Sequence, residues 1–238
     1  MATITASEFS ADKLKFQAPK KLEQGGVIGM SYEGAPLEMK IQASRVPFDC
    51  GMGFKGEGKK LVLQLEIPDT ADYEKTRDVM KQIEEAARAH VRDNAKVICD
   101  SIGFKAAKEN DLRNGANFHG LLRPAKDPKY PDTLTMKWAE PKDGECAKVK
   151  IVDFADKTVK WNVIKRDATV VSSVRIKGIF INSNMWSIQV EAVALCVIST
   201  KKEVCTSSLF ADEMAQAAKR QRIMSGPSSE EEEESEGA

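Results

Sequence analysis

The sequence predicts a mostly β fold, a barrel of short strands with one long helix lying against it. Two observations carry that expectation. Segments of strict period-two alternation recur along the chain, and one stretch near residues 71–93 repeats its apolar residues at three- and four-residue steps. Glycines and prolines punctuate what lies between.

Residues 1–36 hold scattered apolar residues among Gly25, Gly26, Gly29, Gly34, Pro19 and Pro36, which predicts a loosely structured arm with one edge strand. From Leu37 the alternation is strict: Leu37, Met39, Ile41 and Ala43 share one face, and Glu38, Lys40, Gln42 and Ser44 the other. A glycine-rich loop follows, then residues 60–67 (KLVLQLEI) alternate again until Pro68 ends the strand. Asp69 or Thr70 can cap the helix that comes next, whose stripe is Tyr73, Met80, Ile83, Ala87 and Val91. Residues 94–132 read as an insertion broken by Gly103, Gly115, Gly120, Pro124, Pro128 and Pro131. Period two returns in 133–138, 148–152, 159–163, 171–180 and 186–195, and the short polar turns between these segments predict a meander. Residues 208–222 read as a short C-terminal helix with Lys219, Arg220 and Arg222 at its negative end. The organisation expected is thus an arm (1–36), one elaborated barrel domain (37–224) and a disordered acidic tail (225–238).

Composition narrows the function classes. No apolar run reaches the roughly 18–20 residues of a membrane-spanning helix, and the first residues, MATITASE, show neither a basic nor an apolar leader segment. An intracellular protein with no membrane association is expected. Five widely spaced cysteines (Cys50, Cys99, Cys146, Cys196, Cys205), with no C-x-x-C pair and no histidine at ligand spacing, argue against a disulfide framework or a zinc site. The net charge of zero conceals an asymmetry: six of the 36 acidic residues and none of the 36 basic ones lie in the terminal Ser/Glu tract. Residues 1–224 therefore hold 36 basic residues against 30 acidic ones, or +6, and the tail (Glu230, Glu231, Glu232, Glu233, Glu234 and Glu236) holds −6.

Catalytic motifs are sparse. Residues 53–60 (GFKGEGKK) fit the G-x-x-x-x-G-K spacing of a phosphate loop, but Lys60 stands where Ser or Thr would hold Mg²⁺, and a strand follows instead of a helix. Lys59 and Lys60 read instead as part of a flexible basic hairpin. His90 and His119 have no partner spacing for hydrolysis or metal binding, so no enzyme activity, cofactor or metal is expected. The chemistry lies in cations interleaved with aromatics: Lys137 beside Trp138, Lys160 beside Trp161, and Arg175, Lys177 and Phe180 on one strand leading to Trp186. Strand neighbours point to opposite faces, so some of these tryptophans must be core. Arg175 and Lys177 alternate with Val174 and Ile176 as a basic stripe of the kind that tracks a nucleic-acid backbone, and equally of the kind any solvated sheet face shows. Trp186, at the turn into the last strand, is expected to reach solvent and stack on a base.

Residues 160–198 (KWNVIKRDATVVSSVRIKGIFINSNMWSIQVEAVALCVI) resemble the C-terminal half of the barrel in the single-stranded DNA-binding proteins of short-tailed phages, with counterparts in large eukaryotic DNA viruses. The places that match are Arg175 and Lys177 on the basic strand, Trp186 after the polar turn, and the small and aliphatic residues 192–195 after Glu191 on the final strand. LVLQLEIPD followed by a long helix, and residues 210–214 followed by the acidic terminus, match the family's order of elements. The resemblance implies a five-stranded oligonucleotide-binding barrel that holds single-stranded DNA in a basic, aromatic-lined groove and acts in replication, recombination or repair. It implies a tail that competes with DNA and meets a DNA polymerase or helicase-primase; a homodimer is a further partner to test, since the sequence does not fix the oligomeric state. The phage tails end in an aromatic residue, whereas this chain ends Glu236-Gly-Ala238, so a contact through a terminal ring is not implied. The site residues expected are Lys59, Lys60, Lys137, Lys160, Trp161, Arg175, Lys177, Phe180 and Trp186, with the tail glutamates as the autoinhibitory segment. The nucleus or a cytoplasmic viral replication site is the expected location, and residues 219–222 could serve as a nuclear signal. An RNA-binding or chaperone module on the same fold, or a β-domain for protein contacts, are the alternatives.

Overall fold

The computed structural model describes residues 4–52, 60–139 and 148–198. The strands in chain order are β1 (Leu14–Phe16), β2 (Lys20–Leu22), β3 (Gly25–Tyr32), β4 (Leu37–Arg45), β5 (Gly51–Met52), β6 (Lys60–Ile67), β7 (Phe118–His119), β8 (Leu122–Arg123), β9 (Asp132–Ala139), β10 (Lys150–Asp153), β11 (Thr169–Ile181) and β12 (Trp186–Ile198). Between β6 and β7 lie three helices: α1 (Glu74–Asp93), α2 (Ala95–Ile102) and α3 (Ala106–Arg113). The mostly β expectation holds.

Five strands build the barrel. β4 pairs with β11, β11 with β12, β12 with β9 and β9 with β6, and β4 lies against β6 to bring the ends together. In chain order that is first, fourth, fifth, third, second, a Greek key of the oligonucleotide-binding kind. It is not the meander expected. β9 meets β12 in parallel through Lys137 and Glu191, and β10 then continues along the same edge of β12, also in parallel, from Ala194 to Val197. Alternation reports which face of a strand is buried and says nothing of its neighbour, so the order was not readable from it.

Closure depends on bends in the two long strands. The β11–β12 register slips between Ser173 and Val174 and again between Ile176 and Gly178, and the β11–β4 register slips between Val170 and Ser172. Bulges of this kind coil a sheet more tightly. At the second slip β11 leaves β4 and picks up β3, pairing Gly178 with Gly29. Gly178 has φ +144°, and a Cβ there would lie 2.1 Å from the Ile28 carbonyl oxygen, so only glycine fits.

The arm is part of the sheet. β3 alternates fully, with Ile28, Met30 and Tyr32 buried, and it carries β1 and β2 on its far edge. Its glycines predicted looseness, but Gly25, where a Cβ would lie 2.2 Å from the Ile181 carbonyl oxygen, is there for the close approach of β11.

The helix is where the pattern places it, and its expected stripe of Tyr73, Met80, Ile83, Ala87 and Val91 is buried. Its entry is tied to the barrel by hydrogen bonds from Thr76 Oγ1 to Gln42 Oε1 (2.8 Å), Gln42 Nε2 to the Asp72 carbonyl (2.7 Å) and Arg77 Nη1 to the Ile67 carbonyl (2.8 Å). The insertion is ordered. Glu84 on α1 accepts the amides of Leu121 and Leu122, and buried Lys108 on α3 donates to the Ser183 carbonyl, so the insertion wraps the turn between β11 and β12. Residues 159–163, expected as a strand, instead contain a single 3-10 turn, Trp161–Val163. The expected C-terminal helix, the acidic tail and residues 53–59 of the glycine-rich loop lie outside the described residues.

If Gly178 is needed for closure, Gly178→Ala should lower stability by at least about 1–3 kcal/mol through backbone strain alone. Gly51→Ala, where a Cβ meets only the Asp49 carbonyl at 3.8 Å, should be near neutral. Thermal melts of the two variants check this; equal melting temperatures would mean that the crossing tolerates a side chain.

Candidate nucleic-acid interface

The alternation that fills the core also sets what faces outward. On the sheet's outer side, β6 presents Lys60, Val62 and Gln64, β9 presents Thr135 and Lys137, β12 presents Gln189 and Glu191, and β11 presents Arg175, Lys177 and Phe180. The bulge at Lys177 keeps Phe180 on the same side as Arg175 despite the odd spacing.

A cationic cluster sits on β6 and β9. Lys137 lies opposite Val62, Lys60 opposite Ala139 one diagonal step away, and Arg123 on β8 opposite Thr133. None of the three cations has an ion pair among the described residues. The Lys137 ammonium is held below the usual lysine range, first by partial burial and then by the charges of Arg123 and Lys60. An anion bound here would relieve that repulsion.

The cluster runs into a cleft. Beyond the Lys137–Glu191 bridge β9 leaves the edge of β12 and β10 takes its place, and the gap between them is a cleft of 670 Å³. Trp138, Val149, Ile151, Val159 and half-buried Trp161 give it an apolar lining, and exposed Lys148, Lys150 and Lys160 stand around it. Lys150 has Asp156 at 3.7 Å; Lys148 and Lys160 have no ion pair among the described residues. An apolar cleft ringed by ammonium groups suits a flat ring joined to an anion.

Three sequence expectations change. Arg175 is not simply part of a solvated stripe: its Nε donates to Glu38 Oε1 at 2.9 Å, its Nη2 lies 2.5 Å from the same oxygen, and its Nη1 lies 3.9 Å from Glu191. Glu38 is only 6% exposed, so this guanidinium chiefly neutralises a buried carboxylate. Lys177 is exposed, 3.5 Å from Glu191. Both acids lie on neighbouring strands, out of sight of a one-strand pattern.

Trp186 does not reach solvent. It is 0% exposed, its Nε1 donates to the Ala116 carbonyl at 3.0 Å, and Phe118 tilts against it at 4.3 Å with the Arg88 guanidinium 4.0 Å beyond Phe118. The insertion supplies Ala116 and Phe118 and α1 supplies Arg88, and the ring has no face left for a base. Trp138 is likewise core.

Phe180 is half-buried on the outer face, and Lys60, Lys137, Lys160 and Trp161 belong to the cluster and cleft. Lys59 and Glu230, Glu231, Glu232, Glu233, Glu234 and Glu236 lie outside the described residues. Sequence reasoning missed Lys148 and Lys150, although their alternation with Val149 and Ile151 was visible, and Arg123, which has no pattern around it. His90 stacks on Phe16 at 4.3 Å, and burial lowers its pKa. Burial pushes the Cys50 thiol up to about 12, which suits a packed group and not a nucleophile. Among the described residues no cluster of His, Cys, Asp or Glu could hold a metal ion, and no helix is long and apolar enough to cross a membrane.

No family model and no curated protein matches the chain. Solved structures do. The single-stranded DNA-binding protein from bacteriophage Enc34 in complex with ssDNA aligns at a TM-score of 0.43 and 14% identity, covering 77% of this chain and 94% of that one. Its C-terminal truncation aligns at 0.43 and 13% over 80% and 97%. Gp2.5, a single-stranded DNA-binding protein encoded by bacteriophage T7, aligns at 0.47 and 11% over 68% and 91%.

The Glu38 pairing separates the two stripe cations. Arg175→Ala should lower stability by more than the about 1 kcal/mol of an exposed pair and by up to the about 3–5 kcal/mol of a fully buried one. Lys177→Ala should leave stability within about 0.5 kcal/mol. Adding Glu38→Gln to Arg175→Ala should restore part of the loss, as read by denaturant melts. Equal stability of both single variants would make Arg175 an ordinary surface cation.

Proposed function

We propose that this chain binds single-stranded DNA without sequence preference and without a catalytic step, serving replication, recombination or repair. The observation that carries the reading is the cluster of Lys60, Arg123 and Lys137, without an ion pair among the described residues, opening into the cleft of Trp161, Lys148 and Lys160. The outer face of the barrel's second and third strands, here β6 and β9, is also where this fold offers its oligonucleotide surface.

The division of labour follows from the chemistry. Lys60, Arg123 and Lys137 neutralise phosphates, each releasing condensed counterions and adding salt-dependent affinity. In the cleft, Trp161 offers a ring to an unpaired base, a stack worth about 1–3 kcal/mol, while Lys148 and Lys160 take the flanking phosphates. In a duplex the base faces are stacked on one another, so only single strands use the cleft. Glu191 opposes binding from the middle of the sheet, where it holds Lys177 and stands beside Lys137.

A titration with fluorescent oligo-dT and with duplex of equal length is the test. Oligo-dT should bind more tightly, and Trp161→Ala should remove much of the difference. Lys60→Ala and Lys137→Ala should each flatten the log–log salt dependence by about 0.7. Equal affinity for duplex and single strand would overturn the stacking part, and unchanged salt slopes would overturn the phosphate part. Glu191→Gln should tighten binding at low salt by roughly threefold to tenfold, given about 1 kcal/mol for a partly exposed charge; weaker or unchanged binding would place the strand's path away from β12.

A further inference from the structure

Phe48 is the most exposed large apolar residue among those described, at 62%. It is not on a frayed end. Val46 and Cys50, on either side of it, are 0% and 4% exposed, and residues 46–50 form a strap hydrogen-bonded to the segment 164–168. Val46 N donates to the Ala168 carbonyl at 2.8 Å, Asp167 N to the Val46 carbonyl at 2.8 Å, and Cys50 N to the Ile164 carbonyl at 3.0 Å. Asp49 Oδ1 accepts the Arg166 amide at 2.7 Å. The ring is therefore presented to solvent by a fixed backbone.

Its surroundings carry charges of both signs, with Lys165 and Arg166 the most exposed of them. Exposed Lys165 and Arg166 lie on the segment to which the strap is bonded; Asp49 lies 3.5 Å from Lys165, and Asp167 pairs with Arg45 and lies 3.9 Å from Arg166. The same segment begins at the 3-10 turn of Trp161, whose carbonyl accepts the Ile164 amide at 3.1 Å. One short turn, about 2 Å per residue, and one interstrand spacing of about 4.8 Å separate the Trp161 position from the strap. The strap also belongs to the connection between the barrel's first and second strands, a loop this fold directs toward oligonucleotides.

We propose that Phe48 is a second base-stacking platform, extending the single-strand path from the Trp161 cleft across the strap, with Arg166 on the adjoining phosphate. An exposed ring on a rigid strap, with exposed Arg166 on the segment bonded to it, fits an unpaired nucleotide, whose base brings an aromatic face and whose phosphate brings a negative charge. This rests on the single-strand reading above and adds to it a further nucleotide contact and the residue that makes it.

The test uses the full chain with oligo-dT of graded length. Phe48→Ala should bind about tenfold more weakly, occlude a shorter length of strand and keep the wild-type salt slope, because a ring carries no charge. Arg166→Ala should reduce that slope by about 0.7. Phe48→Trp should retain affinity and show extra fluorescence quenching on dT binding, whereas Phe48→Leu should behave like Phe48→Ala. Thermal melts should stay near wild type for all three Phe48 variants, since the side chain is mostly exposed. Wild-type affinity and footprint in Phe48→Ala, or full recovery by Phe48→Leu, would overturn the platform while leaving the Trp161 cleft standing. Failure of the wild-type chain to bind oligo-dT would overturn both.

Discussion

The close crossing of β11 by β3 is the constraint on which the rest of the structure depends. A strand of 13 residues can neighbour both β4 and β3 on one edge only if it bends between them, and the bend is made where Lys177 bulges and Gly178 lets the Ile28 carbonyl approach. From that bend follow the closure of the barrel and the absorption of the N-terminal residues into the sheet. It also turns Lys177 and Phe180 to one face.

Closure has an electrostatic consequence. Where strands pack tightly around Glu38, the carboxylate is buried and takes Arg175 as its partner. Where β9 and β10 part from each other along β12, no carboxylate among the described residues answers Lys60, Arg123, Lys137, Lys148 or Lys160 with an ion pair. Cations of the same chemical type thus serve two ends. Those held by buried acids secure the sheet, and those left without a counter-charge hold electrostatic free energy that an incoming polyanion can lower.

The aromatics divide in the same way. Trp138 and Trp186 are enclosed, the second by the insertion that wraps the last turn, while Trp161 and Phe48 stand where regular strand structure stops. Rings inside the barrel stabilise it by excluding water. Rings on a short 3-10 turn and on a strap have a backbone fixed by its own hydrogen bonds, so they can face solvent without fraying the fold.

Much was legible from residue order alone, for a physical reason: side-chain period is a local property of the backbone. Alternation located β4, β6, β9, β11 and β12, the three- and four-residue steps located α1, and the inward residues expected for β4 and α1 are buried except Ala43, which is half-buried while Ser44 beside it is buried, near the slip of β4 against β11. Which strands neighbour one another was not legible, because alternation is the same for a meander and a Greek key. Only the tertiary structure decided that Glu38 would lie beside Arg175, that the insertion would cover Trp186, and that β9 and β10 would splay to form a cleft around Trp161. Each of these joins residues far apart in the chain, and neither charge nor ring type records in advance which distant group will be packed against it.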